Sequence, residues 1–222
     1  MAVSKHNSGM KDASDAHAQH NDERRIYFDP RLNGLVVSVS QGQFYVSSSP
    51  YEVLSTVLGS CIAVCMRDPV AGCGGMNHFL LPNQAERQDE FPSVSLRYGS
   101  YSIERLTNAL LSRGALRERL EIKVFGGANV LSGTGNYGHS NSDFVEAYLA
   151  REGLRIAARS LRGTSARRIR YYPASGRAQV SEVQGDAPST IAADESRLAS
   201  RLQVSNNRKS VEIFDPRIRL KR

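Results

Sequence analysis

The sequence predicts an α+β fold: a compact single domain of packed, mostly antiparallel β-sheets with flanking helices. Three observations lead there. Short β-branched runs bounded by turn residues crowd the first half of the chain. Only two segments carry a clean helical period. Strands and helices do not alternate strictly, which speaks against a doubly wound parallel sheet. The chain has 222 residues and 40% hydrophobic content, enough for one domain core with polar extensions.

Taken in order, residues 1–24 are polar and aperiodic and are expected to be disordered. His6, His17 and His20 fall there, and no role is expected of them. From Arg25 the apolar content rises. "GLVVSVSQGQFYVS" alternates and reads as one or two strands. "SCIAVCMRD" reads as a buried strand that stops at Asp68-Pro69, because proline has no N–H for a ladder. "GGMNHFLLP" is another short strand, closed by Pro82, and "NQAERQDEFPS" is a polar loop. "YSIERLTNALLSRG" is a helix: Ile103, Leu106, Ala109, Leu110 and Arg113 recur at helical spacing, and Gly114 stands where a C-terminal cap needs glycine. "LEIKVFGG" is a strand ending in a glycine pair. "GTGNYGHSNS" is a glycine-rich loop leading into the helix "DFVEAYLAREG", with Ser142 or Asp143 as its cap and Gly153 at its end. "LRIAARSL" and "RRIRYYPASGRAQV" are late strands, the second broken by a turn at Ala174–Gly176. Beyond Val180 the chain reads as a linker and tail with one apolar patch, "SVEIFDP". The expected organisation is therefore a tail at 1–24, a domain at 25–180 and a tail at 181–222.

Charge and sulfur narrow the function classes. The net charge is +7, and eight arginines against the single acid Glu152 lie between Arg151 and Arg177. Such a cluster is either a solvated face or a steering surface for an acidic partner. No RNP motif, no zinc-finger spacing with paired histidines and little aromatic interleaving accompany it, so no nucleic-acid partner is expected. No run of 18 apolar residues exists, so no membrane insertion is expected. The N-terminus lacks the apolar stretch of a secretory signal. Three cysteines are too few for a disulfide framework. The expected compartment is a reducing cytoplasm, which keeps thiols free.

All three cysteines and one of five histidines fall in "TVLGSCIAVCMRDPVAGCGGMNHFLLP", residues 56–82. Three readings compete there: a zinc site, a nucleophilic thiol with its base, and core packing. Cys61, Cys65, Cys73 and His78 are zinc-type ligands. In a strand, however, residues four apart are separated by about 13 Å, at about 3.3 Å per residue, and the intervening Ile62-Ala63-Val64 favour a strand. The thiol reading fits Cys61 better. Gly59 and Ser60 before it leave the sulfur approachable and free backbone N–H groups to face an oxyanion. His78 is the base of the window, brought back by a hairpin through "DPVAGCG". Ser55 or Thr56 supplies a hydroxyl to orient the imidazole or bind substrate. Cys65 and Cys73 read as small buried hydrophobes.

These segments resemble the CheD family, the chemoreceptor glutamine deamidases of bacterial and archaeal chemotaxis. The resemblance starts with "TVLGSCIAVCMRDP" and "GGMNHFLLP" and continues through "YGSYSIERLTNALLSRGA", "IKVFGGANV", "HSNSDFVEAYLAREGLRI" and "RRIRYYPASGRAQV", in order over roughly residues 27–180. It departs at Ser175-Gly176, where the family has Thr-Gly, and in the loop "GGANVLSGTGNYGHSN". It implies Cys61 as nucleophile, His78 as catalytic histidine and Thr56 as third member, with Ser55 one step away. It implies a fold similar to deamidating bacterial toxins, no metal or organic cofactor, and a cytoplasmic, monomeric protein-glutamine glutaminase. The substrates implied are methyl-accepting chemotaxis receptors, whose signalling helices are acidic bundles rich in Glu and Gln. Some relatives also act as methylesterases or bind a CheC-type phosphatase. The alternatives from other classes are a non-catalytic chemotaxis adaptor that binds receptors, and a zinc-binding module.

Overall fold

The computed structural model describes residues 25–81, 94–130 and 136–183. Within them the apolar runs become ten strands and the helical periods two helices. In chain order the strands are β1 Ile26–Asp29, β2 Gly34–Ser38, β3 Phe44–Ser47, β4 Glu52–Leu58, β5 Ile62–Asp68, β6 Cys73–Asn77, β7 Glu121–Gly126, β8 Ile156–Leu161, β9 Arg167–Tyr171 and β10 Ala178–Glu182. The helices are α1 Val94–Leu111 and α2 Tyr137–Arg151. Two five-stranded sheets result, ordered β1-β2-β4-β9-β10 and β3-β6-β5-β7-β8. Pairing is antiparallel except for β2 with β4 and β7 with β8, as the expected α+β class requires.

Alternation along β5 explains the layering. Ile62, Val64 and Met66 join a cluster with Ile103, Leu106 and Leu110 of α1 and Val145 and Leu149 of α2. Ala63 and Cys65 point the other way, into a cluster with Leu54 and Leu58 of β4 and Ile169 and Tyr171 of β9. The second sheet therefore lies between the first sheet and the helices. A strand buried on both faces has no reason to alternate, which is why "IAVCM" is an unbroken apolar run.

Several expectations need correction. β1 and β4 are strands that the sequence reading did not assign. α1 begins at Val94, ahead of Tyr101. It ends at Leu111, so Arg113 lies beyond it, and its guanidinium donates to the carbonyl of Val46 at 3.0 Å. Gly114 adopts φ +86°, the left-handed turn expected of it. α2 begins at Tyr137 with Asn136 in the cap position, so Ser142 and Asp143 lie inside the helix. The Ser142 hydroxyl donates to the carbonyl of Gly138 at 2.9 Å, the bond a helix-interior serine makes to the turn before it. The domain continues past Val180: β10 runs to Glu182, and Val183 N–H donates to Ala166 O at 2.8 Å. The expected tail 1–24, the loop 83–93 and the "SVEIFDP" patch lie outside the described residues.

One buried ion pair ties the β5–β6 turn to the segment after α1. Asp68 is fully buried and accepts from the N–H groups of Val70, Ala71 and Leu116 at 2.8–3.1 Å. The Arg119 guanidinium grips the same carboxylate at 2.7–3.1 Å. These donors, Arg119 foremost, hold the carboxyl well below the usual carboxylate range.

Candidate active site

Strand register brings Cys61 and His78 to one face. β5 and β6 pair with Cys65 opposite Met76. Further along, Ile62 and Phe79 keep that register and exchange both backbone hydrogen bonds, at 2.8 and 2.9 Å. Ile62 and Phe79 face the helices. Cys61 and His78, each one residue earlier, therefore face the first sheet, and Cys61 packs there with Ala63, Cys65 and Leu80. In this register Cys61 lies opposite Leu80, so His78 is its diagonal neighbour, at about 7–8 Å between backbones and within reach of a ring. The hairpin expected from the sequence is the device that does this. Cys61 is 0% exposed and His78 6%.

The third group comes across from β4. Thr56 pairs with Ile169 and faces inward, and its Oγ1 lies 2.8 Å from His78 Nδ1. Ser55 pairs with Arg170 and takes the opposite face of the strand, so it does not reach the imidazole. His78 Nδ1 also lies 3.3 Å from the carbonyl of Val39. A carbonyl only accepts, so both partners suit the tautomer with hydrogen on Nδ1, which makes Nε2 the basic nitrogen. The His78 backbone is pinned as well: its N–H donates to Gln43 O at 3.0 Å, and its carbonyl accepts from Gly42 N–H at 2.7 Å.

The turn before Cys61 is held carbonyl by carbonyl. Gly59 O accepts from Ala128 N–H and Cys61 O from Gly127 N–H, each at 2.8 Å. Ser60 O accepts from Asn141 Nδ2, also at 2.8 Å. The glycine pair after β7 is required for this approach. Gly126 and Gly127 have φ +110° and +66°. A Cβ at Gly126 would run into Cys61 O, and one at Gly127 into Ser142 Oγ.

The other cysteines sit elsewhere. Cys65 is deep between the sheets, and burial pushes its thiol far up. Cys73 belongs to the cluster on the opposite side of the second sheet. Cys73 therefore lies across the second sheet from Cys61 and Cys65, and among the described residues no group of three or more His, Cys, Asp or Glu side chains is arranged to hold a metal ion. Two contributors were missed in the sequence. Tyr98 of α1 is half-buried, and its phenol is pushed up first by burial and then by the charge of a Cys61 thiolate. Both effects favour the neutral phenol. Val39 O acts through its backbone, and no side-chain pattern could have announced it.

An α+β domain that buries a thiol, an imidazole and a hydroxyl between its sheets holds the groups that cysteine-dependent acyl transfer requires. The family profile described as CheD chemotactic sensory transduction matches residues 80–182. "Probable chemoreceptor glutamine deamidase CheD" of Rhodopseudomonas palustris (strain BisA53) is 48% identical over 193 residues, covering 87% of this chain and 91% of the relative. A protein of the same description from Caulobacter sp. (strain K31) is 49% identical over 156 residues, 70% of this chain and 82% of its own. The chain belongs to the CheD family. Among solved structures, Neisseria meningitidis protein NMB0706 overlaps 59% of this chain and 63% of its own at a TM-score of 0.35 and 10% identity, too slight a likeness to carry weight.

Proposed function

We propose that this chain is a chemoreceptor glutamine deamidase, with Cys61 as nucleophile, His78 as general base and acid, and Thr56 as the group that orients the imidazole. The observation that carries this is the 2.8 Å contact of Thr56 with His78 Nδ1, on the face shared with Cys61, in a chain so similar to proteins of that description. His78 Nε2 takes the Cys61 proton, and the sulfur attacks the side-chain amide carbon of a receptor glutamine. An S–C bond forms and the carbonyl oxygen becomes an oxyanion. As it collapses, the C–N bond breaks and His78 returns the proton to the departing ammonia. Water, deprotonated by His78, then cleaves the thioester, releasing glutamate and regenerating the thiol. An amide is a poor electrophile and ammonia a poor leaving group, so dividing the reaction lowers each barrier.

The partners in this reading are the cytoplasmic signalling helices of methyl-accepting chemotaxis receptors, with a CheC-type phosphatase as a further one. No described helix is long and apolar enough to cross a membrane. The protein works as a monomer in the cytoplasm, where its thiols stay reduced. The test is ammonia release from a receptor cytoplasmic fragment, with binding measured in parallel. Wild type should release ammonia, and Cys61→Ala and His78→Ala should fall to background. Wild type that binds the fragment and releases nothing would establish the adaptor reading instead.

A further inference from the structure

Asn141 is a buried polar residue that the mechanism above does not use. It lies on α2, is 1% exposed, and makes two bonds with no freedom of exchange. Ser60 O only accepts, so the amide nitrogen of Asn141 must face it, at 2.8 Å. Leu81 N–H only donates, so the amide oxygen must face that group, at 3.1 Å. One side chain thus joins the residue before Cys61 to a residue three positions after His78.

We propose that Asn141 is a positioning residue for the oxyanion step. The peptide between Ser60 and Cys61 is planar and trans, so its C=O and N–H point in opposite directions. Holding Ser60 C=O against α2 aims Cys61 N–H away from α2. The neighbouring carbonyls, Gly59 O and Cys61 O, are held by Ala128 and Gly127 through backbone bonds that no side-chain substitution removes. The middle carbonyl of the three is held by a side chain. The N–H of the nucleophile's own residue is a natural donor to the oxyanion that forms when its sulfur attacks, because both belong to one residue. Its direction matters most in the transition state, when the charge develops. Asn141 therefore acts on turnover, and does so without touching substrate.

The inference rests on the thiol mechanism proposed above, and the experiment separates the two. Wild type, Cys61→Ala, Asn141→Ala and Asn141→Leu are compared for steady-state deamidation of a receptor cytoplasmic fragment and for thermal unfolding. The leucine variant keeps the side-chain volume at this position if the alanine variant folds poorly. The expected result is a kcat lower by about 10²-fold in the folded Asn141 variants, the scale of losing one oxyanion donor, with KM unchanged. A kcat near wild type overturns the proposal. So does a loss carried by KM, which would make Asn141 a substrate-binding group, and so does failure of both variants to fold, which would make it a structural clamp. An inactive wild type, or a Cys61→Ala variant that still turns over, overturns the thiol mechanism itself and this proposal with it.

Discussion

Thr56 and Ser55 are adjacent hydroxyls on one strand, and alternation sends them to opposite faces. Only Thr56 meets the imidazole. Thr56→Val keeps the shape and removes the oxygen, leaving His78 Nδ1 with the longer contact to Val39 O. It should lower kcat by about 10²-fold, the scale of a small misplacement of a catalytic group. Thr56→Ser should restore most of the rate, and Ser55→Ala should leave it intact; steady-state deamidation of a receptor fragment measures all three. A Ser55→Ala defect larger than that of Thr56→Val would reverse the assignment. This distinction was not legible in the sequence, where the two hydroxyls are equally spaced candidates. The juxtaposition of Cys61 and His78 was legible, because small residues, a thiol and a hairpin turn lie within one short window. Asn141 was not: an asparagine before a helical run reads as a cap or loop residue, and its two partners are backbone groups that only the folded register brings to it.

At the scale of elements, the strands that went unread share a cause. β4 contains Ser55-Thr56 among its apolar residues, so two hydroxyls interrupt its apolar pattern. β1 is exposed along most of its length, so no burial pattern marks it. β5 and β7 are bounded by glycine, proline and charge and were read correctly. The early starts of α1 and α2 escaped because Tyr98-Gly99-Ser100 in the one and Tyr137-Gly138-His139-Ser140 in the other interrupt the apolar stripe. The turn after β5 also yields a prediction about stability. Asp68 has a folded-state pKa held below that of the unfolded chain, ordinarily about 3.9. Its contribution is therefore fully present above that unfolded value and is lost as pH falls toward the folded one. The urea midpoint should drop as pH goes from neutral to below about 4, and Asp68→Asn should flatten that drop. Asp68→Ala should cost more at neutral pH, by about 1–3 kcal/mol in all, since Arg119 and three part-buried backbone N–H groups lose their shared acceptor. A drop of equal steepness in Asp68→Asn would assign the acid sensitivity to other carboxylates.

Over the whole molecule, the arginine cluster divides into two populations. Arg159 and Arg162 pair with Glu146, and Arg162 also with Asp143. Arg167 is buried and donates to Ser160 and to the carbonyl of Arg162. Arg168 and Arg170 alternate with the inward residues of β9 and face away from the core. The segment that read as one basic stretch thus serves partly as internal bracing and partly as outward charge. If the outward arginines steer an acidic receptor bundle, deamidation well below saturation should slow with rising salt, since attraction is screened over about 8 Å at physiological ionic strength. Arg168→Glu with Arg170→Glu should lower kcat/KM with kcat unchanged, and a flat salt response would leave these arginines as a solvated face. In the proposed mechanism one of the three thiols does the chemistry while the other two pack. Site-resolved mass spectrometry of a receptor cytoplasmic fragment tests it most directly, after incubation with wild type, Cys61→Ala, Cys65→Ala or Cys73→Ala. Conversion of glutamine to glutamate by every form except Cys61→Ala is the predicted result, and conversion by Cys61→Ala at the wild-type rate would contradict it.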